Sequence, residues 1–144
     1  MTLLGDYDDG NIFAKVLRGE APCAKVYEDA DILAFMDLFP QGRGHTLVIG
    51  KTPARNLMDV EPEALATLMK GVQKIAKGIV LALKPDGIVL TQFNGAPAGQ
   101  TVFHLHVHLI PRWEGVPLAG HGGAGMADPV ELAAVAKEIA SSIR

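Results

Sequence analysis

Three of the chain's five histidines fall at alternate positions in one short run, His104-Leu105-His106-Val107-His108-Leu109-Ile110-Pro111. Imidazole is the side chain that titrates nearest neutrality, which suits it to nucleophilic, acid-base or metal chemistry. The alternation with β-favouring apolar residues has a period of two. The run is therefore expected to form a strand with all three histidines on one face and Leu105, Val107 and Leu109 packed toward a helix on the other. Two alternate strand histidines can share a zinc ion. Side chains at i and i+2 lie about 6.6 Å apart and those at i and i+4 about 13 Å, from a rise of ~3.3 Å per residue. Zn–N bonds are about 2.0–2.1 Å, so a straight strand brings at most two of the three to one metal. A row of imidazoles led in by Gly99-Gln100-Thr101-Val102-Phe103 better suits an extended anion, such as a phosphate with groups on either side.

The elements that would position this run can be followed along the chain. Asp9 or Asn11 can cap a short amphipathic helix carrying Ile12, Phe13, Val16 and Leu17, which Gly19 ends. Lys25-Val26-Tyr27-Glu28 and Ile32-Leu33-Ala34-Phe35-Met36 read as a hairpin around the polar turn Asp29-Ala30-Asp31, with Asp37 ending its second strand. The Gly- and Pro-containing loop from Phe39 to Gly44 delivers His45-Thr46-Leu47-Val48-Ile49 as a third strand, with His45 at its entrance. From Pro62 to Leu83, apolar residues recur at steps of three and four, the mark of one long amphipathic helix packed on a sheet. Ile88-Val89-Leu90-Thr91-Gln92 is a fourth strand. Asn94-Gly95-Ala96-Pro97-Ala98-Gly99-Gln100 then turns the chain back to the histidine strand as its hairpin partner, presenting N–H groups that could meet an anion. Residues 115–125, Gly-rich and containing His121, read as a mobile segment. Asp128-Pro129 opens a last helix through Leu132, Val135, Ala136 and Ile139. Antiparallel strands with segregated helices indicate an α+β fold, with a five-stranded sheet, one long packing helix and a C-terminal helix.

Composition limits the functional classes. At 144 residues the chain fits a single domain. Its 49% hydrophobic and 20% charged content is that of an ordinary globular protein. No apolar run has the length of a membrane span and the N-terminus lacks a secretory pattern, so the expected address is the cytoplasm. The single cysteine, Cys23, agrees with a reducing compartment. A net charge of −3 and the lack of a Lys/Arg stripe argue against nucleic-acid binding. A small nucleotide is still compatible, because backbone N–H groups, hydroxyls and imidazoles can hold phosphate.

The run His104-Leu105-His106-Val107-His108-Leu109-Ile110 resembles the signature of the histidine triad superfamily, in which three histidines alternate with apolar residues. The segments Asn11-Ile12-Phe13-Ala14-Lys15-Val16, Glu20-Ala21-Pro22, Ala34-Phe35-Met36-Asp37, Gly44-His45-Thr46-Leu47-Val48-Ile49 and Ala98-Gly99-Gln100-Thr101-Val102 resemble its Hint-like, nucleotide-binding branch in order and spacing. The resemblance covers a core at about 11–112, leaving a C-terminal extension over 113–144, and it implies a homodimer joining two five-stranded sheets into one of ten strands, with chemistry at the α-phosphate of a purine nucleotide, AMP- or GMP-like. It implies His106 as the nucleophile, His108 on the phosphate or leaving group, and His104 and His45 as supports. Asp37 would bind the ribose, with Ile12, Phe13, Val16, Phe35 and Leu38 around the base. Asn94, Gly99, Gln100 and Thr101 would stand on the phosphate side, and Thr101 could also feed a proton to the leaving group. Many relatives carry a Cys-x-x-Cys that helps bind zinc. Asn11 and Ala14 stand in those places here, so no such site, and no cofactor, is expected. Thr101 replaces the Hint-type serine.

The resulting expectation is a nucleoside 5′-phosphoramidate hydrolase working through a nucleotidyl-histidine. The alternatives are a Fhit-like dinucleoside polyphosphate hydrolase, a nucleotide sensor with weak catalysis, and a zinc hydrolase using two triad histidines.

Overall fold

Local hydrogen bonds set the element boundaries in this computed structural model, which describes residues 2–118 and 125–144. Asn11 Oδ1 accepts from the Ala14 N–H at 2.9 Å, satisfying one of the unpaired donors at the start of α1 (Ile12–Leu17). Asp29 Oδ1 accepts from the N–H groups of Asp31 and Ile32, closing the turn between β1 (Lys25–Glu28) and β2 (Ile32–Met36). Proline opens both α2 (Pro62–Leu83) and α3 (Pro129–Ala140), and Asp128 caps the latter by accepting from the Val130 N–H. The remaining strands are β3 (Thr46–Gly50), β4 (Gly87–Thr91) and β5 (His106–Arg112), with a 3₁₀ turn at Ala96–Ala98.

The five strands form one antiparallel sheet in the order β1-β2-β3-β5-β4, which agrees with the expected α+β architecture. Alternation sorts the side chains between two layers. Ile32, Ala34, Met36, Val48, Val107 and Leu109 join Leu68, Val72, Ile75, Ile79 and Leu83 of α2 and Leu132, Ala136 and Ile139 of α3 in one core. On the opposite face Leu33, Phe35, Leu47 and Ile49 pack with Phe13 of α1. Ile75 and Ile79 are fully buried, and removing each from water contributes roughly 1.5–3 kcal/mol. At Gly71 a Cβ would collide with the Ile32 side chain, so glycine lets α2 lie close on β2.

Two differences from the sequence expectation concern the histidine strand. It begins at His106, not His104, because the Leu105 N–H donates to the Ala54 carbonyl outside the β3 ladder. His104 thus precedes the strand, and the three histidines do not form one uninterrupted face. The strand also runs one residue past its expected end at Pro111, to Arg112. The Arg112 carbonyl accepts from the Asp86 N–H on the β4 side, which directs Pro111 toward β3, whose last pair is Thr46 with Leu109. No ladder bond is lost where β3 has already ended. The expected mobile segment containing His121 lies mostly at 119–124, outside the described residues. Among the described residues, no helix is long and apolar enough to cross a membrane.

Candidate active site

The face of β5 turned away from α2 and α3 carries His106 and His108 into a pocket of about 450 Å³, a size suited to a small organic ligand. The Phe13 ring, itself braced by Phe35, packs against His106. Phe13 of α1 meets it edge-on at 4.9 Å and 87°, and itself stands edge-on to Phe35 of β2 at 5.3 Å. Aromatic edges and faces attract in this arrangement because ring edges are positive and faces negative.

The proton positions follow from partners that can only donate or only accept. His106 Nδ1 lies 2.7 Å from the His104 carbonyl oxygen. A carbonyl cannot donate, so Nδ1 carries the proton and Nε2 the lone pair. His104 Nε2 lies 2.8 Å from the Gly50 carbonyl and is protonated for the same reason. Its Nδ1 then accepts from the Tyr7 hydroxyl at 2.6 Å. Burial holds the His104 pKa below the ordinary imidazole value, although the bond to Gly50 works against this, so the neutral ring is favoured.

A second chain of bonds supports His108. The Gln41 N–H donates to His45 Nδ1 at 3.0 Å, which places the His45 proton on Nε2. That Nε2–H donates to His108 Nδ1 at 2.9 Å and lies 3.3 Å from Asp37 Oδ2. In neutral His108 the proton consequently sits on Nε2. Asp37 is held as well, its Oδ1 accepting from the Phe39 N–H at 2.8 Å. Gly44 brings His45 into place with φ +83°, and a Cβ there would meet Leu83 Cδ1 at 2.5 Å and Pro111 Cγ at 2.9 Å. Phe93 abuts the His108 ring edge-on at 5.4 Å.

Among the described residues, Asp37, His45 and His108 form a group whose composition could hold a metal ion. Its hydrogen bonding does not fit that use. A cation would require the lone pair of His45 Nε2, whereas the Gln41 N–H already occupies the lone pair of Nδ1 and leaves the proton on Nε2. The donor set suits a relay of hydrogen bonds.

Of the residues singled out from the sequence, Ile12, Phe13, Val16, Phe35, Asp37, Leu38, Thr101, His106 and His108 line one pocket. His45 and His104 stand behind the rings they orient. Asn94, Gly99 and Gln100 are not among the lining residues. Gln100 is 2% exposed, its oxygen accepting from the Gly95 N–H and its nitrogen donating to the Arg55 and Val102 carbonyls. Asn94 bonds Gln92 and the Leu57 N–H, and Gly99 abuts the Phe93 ring with φ +108°. These three build the loop that carries Thr101. Sequence reasoning missed Leu132, Cys23 and Leu47 as pocket walls. Leu132 carried a helical core signal, but nothing local indicated that α3 would reach the pocket. Cys23 is exposed, but desolvation by its neighbours pushes the thiol pKa up, with Lys25 opposing, which disfavours the thiolate.

The family model for the HIT domain matches residues 18–115. A crystal structure of a Hit-like protein involved in cell-cycle regulation from Bartonella henselae, with an unknown ligand, is 48% identical. It superposes with a TM-score of 0.89 over 96% of this chain and 100% of that one. The adenosine 5′-monophosphoramidase hnt1 of Schizosaccharomyces pombe is 34% identical over 92% of this chain and 98% of its own length. The adenylylsulfatase HINT3 of Arabidopsis thaliana is 42% identical over 72% of this chain, which spans 52% of that protein. Sequence, fold and the alternating histidines of β5 agree, and the chain belongs to the HIT-domain family.

Proposed function

We propose that the chain hydrolyses nucleoside 5′-phosphoramidates of the AMP type through a nucleotidyl intermediate on His106. The observation that carries this reading is the 2.7 Å bond from His106 Nδ1–H to the His104 carbonyl, which leaves Nε2 as the lone-pair nitrogen of a ring in the pocket wall. Two relatives support the substrate class. One is named for an adenosine monophosphoramidate and the other for adenylyl sulfate, two compounds that share an adenylyl group and differ in the leaving group.

His106 Nε2 attacks phosphorus, forming N–P as the P–N bond to the amine breaks. The resulting imidazolium keeps its Nδ1 proton on the His104 carbonyl, which stabilises the adduct. The His108 Nε2–H donates to a phosphoryl oxygen, opposing the charge that develops there. Thr101, exposed at the pocket, passes a solvent proton to the departing nitrogen. Water then displaces His106, releasing the nucleotide and returning a proton to solvent. Ile12, Phe13, Val16, Phe35 and Leu38 receive the base, and Asp37 meets the ribose. Substituting His106→Ala is expected to lower kcat on adenosine 5′-phosphoramidate by at least about 10³-fold, from loss of the covalent route. Wild-type protein quenched during turnover should carry an acid-labile adenylyl group on His106. Unchanged turnover in the variant would overturn the reading.

We further propose that two copies pair along β4. This strand is a sheet edge with Val89 36% and Leu90 50% exposed, and an apolar edge invites another strand. Sedimentation should give a dimer that Leu90→Lys weakens.

A further inference from the structure

The hydrogen bonds behind His106 continue past His104 into the N-terminal segment. Tyr7 Oη donates to His104 Nδ1 at 2.6 Å and accepts from Asn11 Nδ2 at 3.0 Å, and the Tyr7 and His104 rings meet edge-on at 5.7 Å. The same Asn11 caps α1, the helix that carries Phe13 onto the His106 ring. Tyr7 therefore touches both supports of His106, the carbonyl-bearing residue on one side and the packing helix on the other.

The segment preceding Tyr7 is itself tied down. Arg55 Nη2 donates to the Thr2 carbonyl at 2.7 Å, and Asn56 Nδ2 donates to the Leu3 carbonyl at 2.8 Å. Arg55 is 4% exposed and stacks 4.5 Å over Phe103, the residue before His104, while its Nε is buried with no hydrogen-bond partner among the described residues. Burying a guanidinium with an unsatisfied nitrogen costs free energy. Here that cost accompanies the anchoring of an N-terminal strap next to the histidines.

We infer that Tyr7 is a positioning residue for His106, acting through its hydroxyl bond to His104 Nδ1. His104 presents its carbonyl to His106 while its own ring is clamped between the Gly50 carbonyl and the Tyr7 hydroxyl. A donor at Nδ1 and an acceptor at Nε2 admit one tautomer and one ring orientation. If the hydroxyl is removed, Nδ1 loses its donor, and the His104 ring and carbonyl can shift. His106 is then less firmly held with its proton on Nδ1. The inference rests on His106 being the nucleophile proposed above.

The test is Tyr7→Phe, which keeps the ring and removes only the hydroxyl. The variant and wild-type protein would be compared by ¹⁵N NMR of the imidazoles at pH 7.5 and by kinetics on adenosine 5′-phosphoramidate. Expected in the variant are a His104 Nδ1 resonance moved toward that of an unbonded pyridine-type nitrogen and His106 nitrogens averaged between tautomers. A kcat lower by about fivefold, the scale of one neutral hydrogen bond, with KM within twofold, is also expected. Unchanged imidazole resonances, or a loss residing only in KM and thermal midpoint, would overturn the positioning role. The NMR readout needs no turnover. If wild-type protein proved inactive on this substrate while Tyr7→Phe still altered the His106 signal, the substrate assignment would fail and the positioning role would stand.

Discussion

His45 Nε2 sits 2.9 Å from His108 Nδ1, and the backbone N–H of Gln41 on the far side of the His45 ring dictates which of the two nitrogens carries the proton. The orientation of one triad histidine is thereby set by a main-chain donor on a different loop. Partners of this kind commonly tune a reactive or ligating imidazole as strongly as direct contacts do.

Replacing His45 with Ala should leave nucleotide binding largely intact and lower kcat by roughly 10–100-fold, because His108 loses the donor that keeps its own proton on Nε2. Asp37→Asn should cost less in kcat, because an amide oxygen can still accept from His45 Nε2, and it should raise KM through loss of the carboxylate proposed to meet the ribose. Steady-state kinetics on both variants would separate these effects, and equal losses in KM alone would contradict the relay.

Gly44→Ala tests the turn that delivers His45. The residue combines φ +83° with contacts of 2.5 Å and 2.9 Å from a notional Cβ to Leu83 and Pro111. Backbone strain and overpacking each cost about 1–3 kcal/mol, so the variant should lose roughly 2–6 kcal/mol. Denaturant unfolding measures this directly, and a loss below about 0.5 kcal/mol would show that the turn relaxes.

The buried His104 should make stability acid-sensitive. Its folded pKa lies below the ordinary value of 6.5 because burial disfavours the charged ring. The unfolded chain therefore binds this proton first. Stability from the neutral ring is fully present above pH ~6.5 and is lost as pH falls from there through the lower folded pKa. The thermal midpoint of wild-type protein should drop across that window, and His104→Gln should flatten the drop while lowering stability at neutral pH. A wild-type midpoint that stays flat over this range would count against the assignment.

Exhaustive chelation should leave the hydrolysis rate unchanged. The Asp37, His45 and His108 group is committed to hydrogen bonds, and the proposed reaction uses imidazole in place of a metal. Loss of activity on chelation, restored by zinc, would revive a metal-dependent route.

Local sequence patterns determined which elements form. The three-and-four spacing of α2, the apolar run of β2, the alternation of β5, the Asp9 or Asn11 start of α1, the Asp128 cap and the Asp29 turn all act over a few residues, so their physics is written in neighbouring positions. Residue types and the family resemblance also gathered nine of the pocket-lining side chains in advance. Tertiary structure decided how the histidines differ from one another. His104 leaves the strand because Leu105 bonds to Ala54, and its ring is held by Tyr7, 97 residues away in sequence. His108 takes its tautomer from His45 across 63 residues, and Gln100 turns inward to build a loop where a ligand contact was expected. A hydrogen-bonding group takes the partner that folding brings within about 3 Å, and that distance depends on the packing of the whole chain.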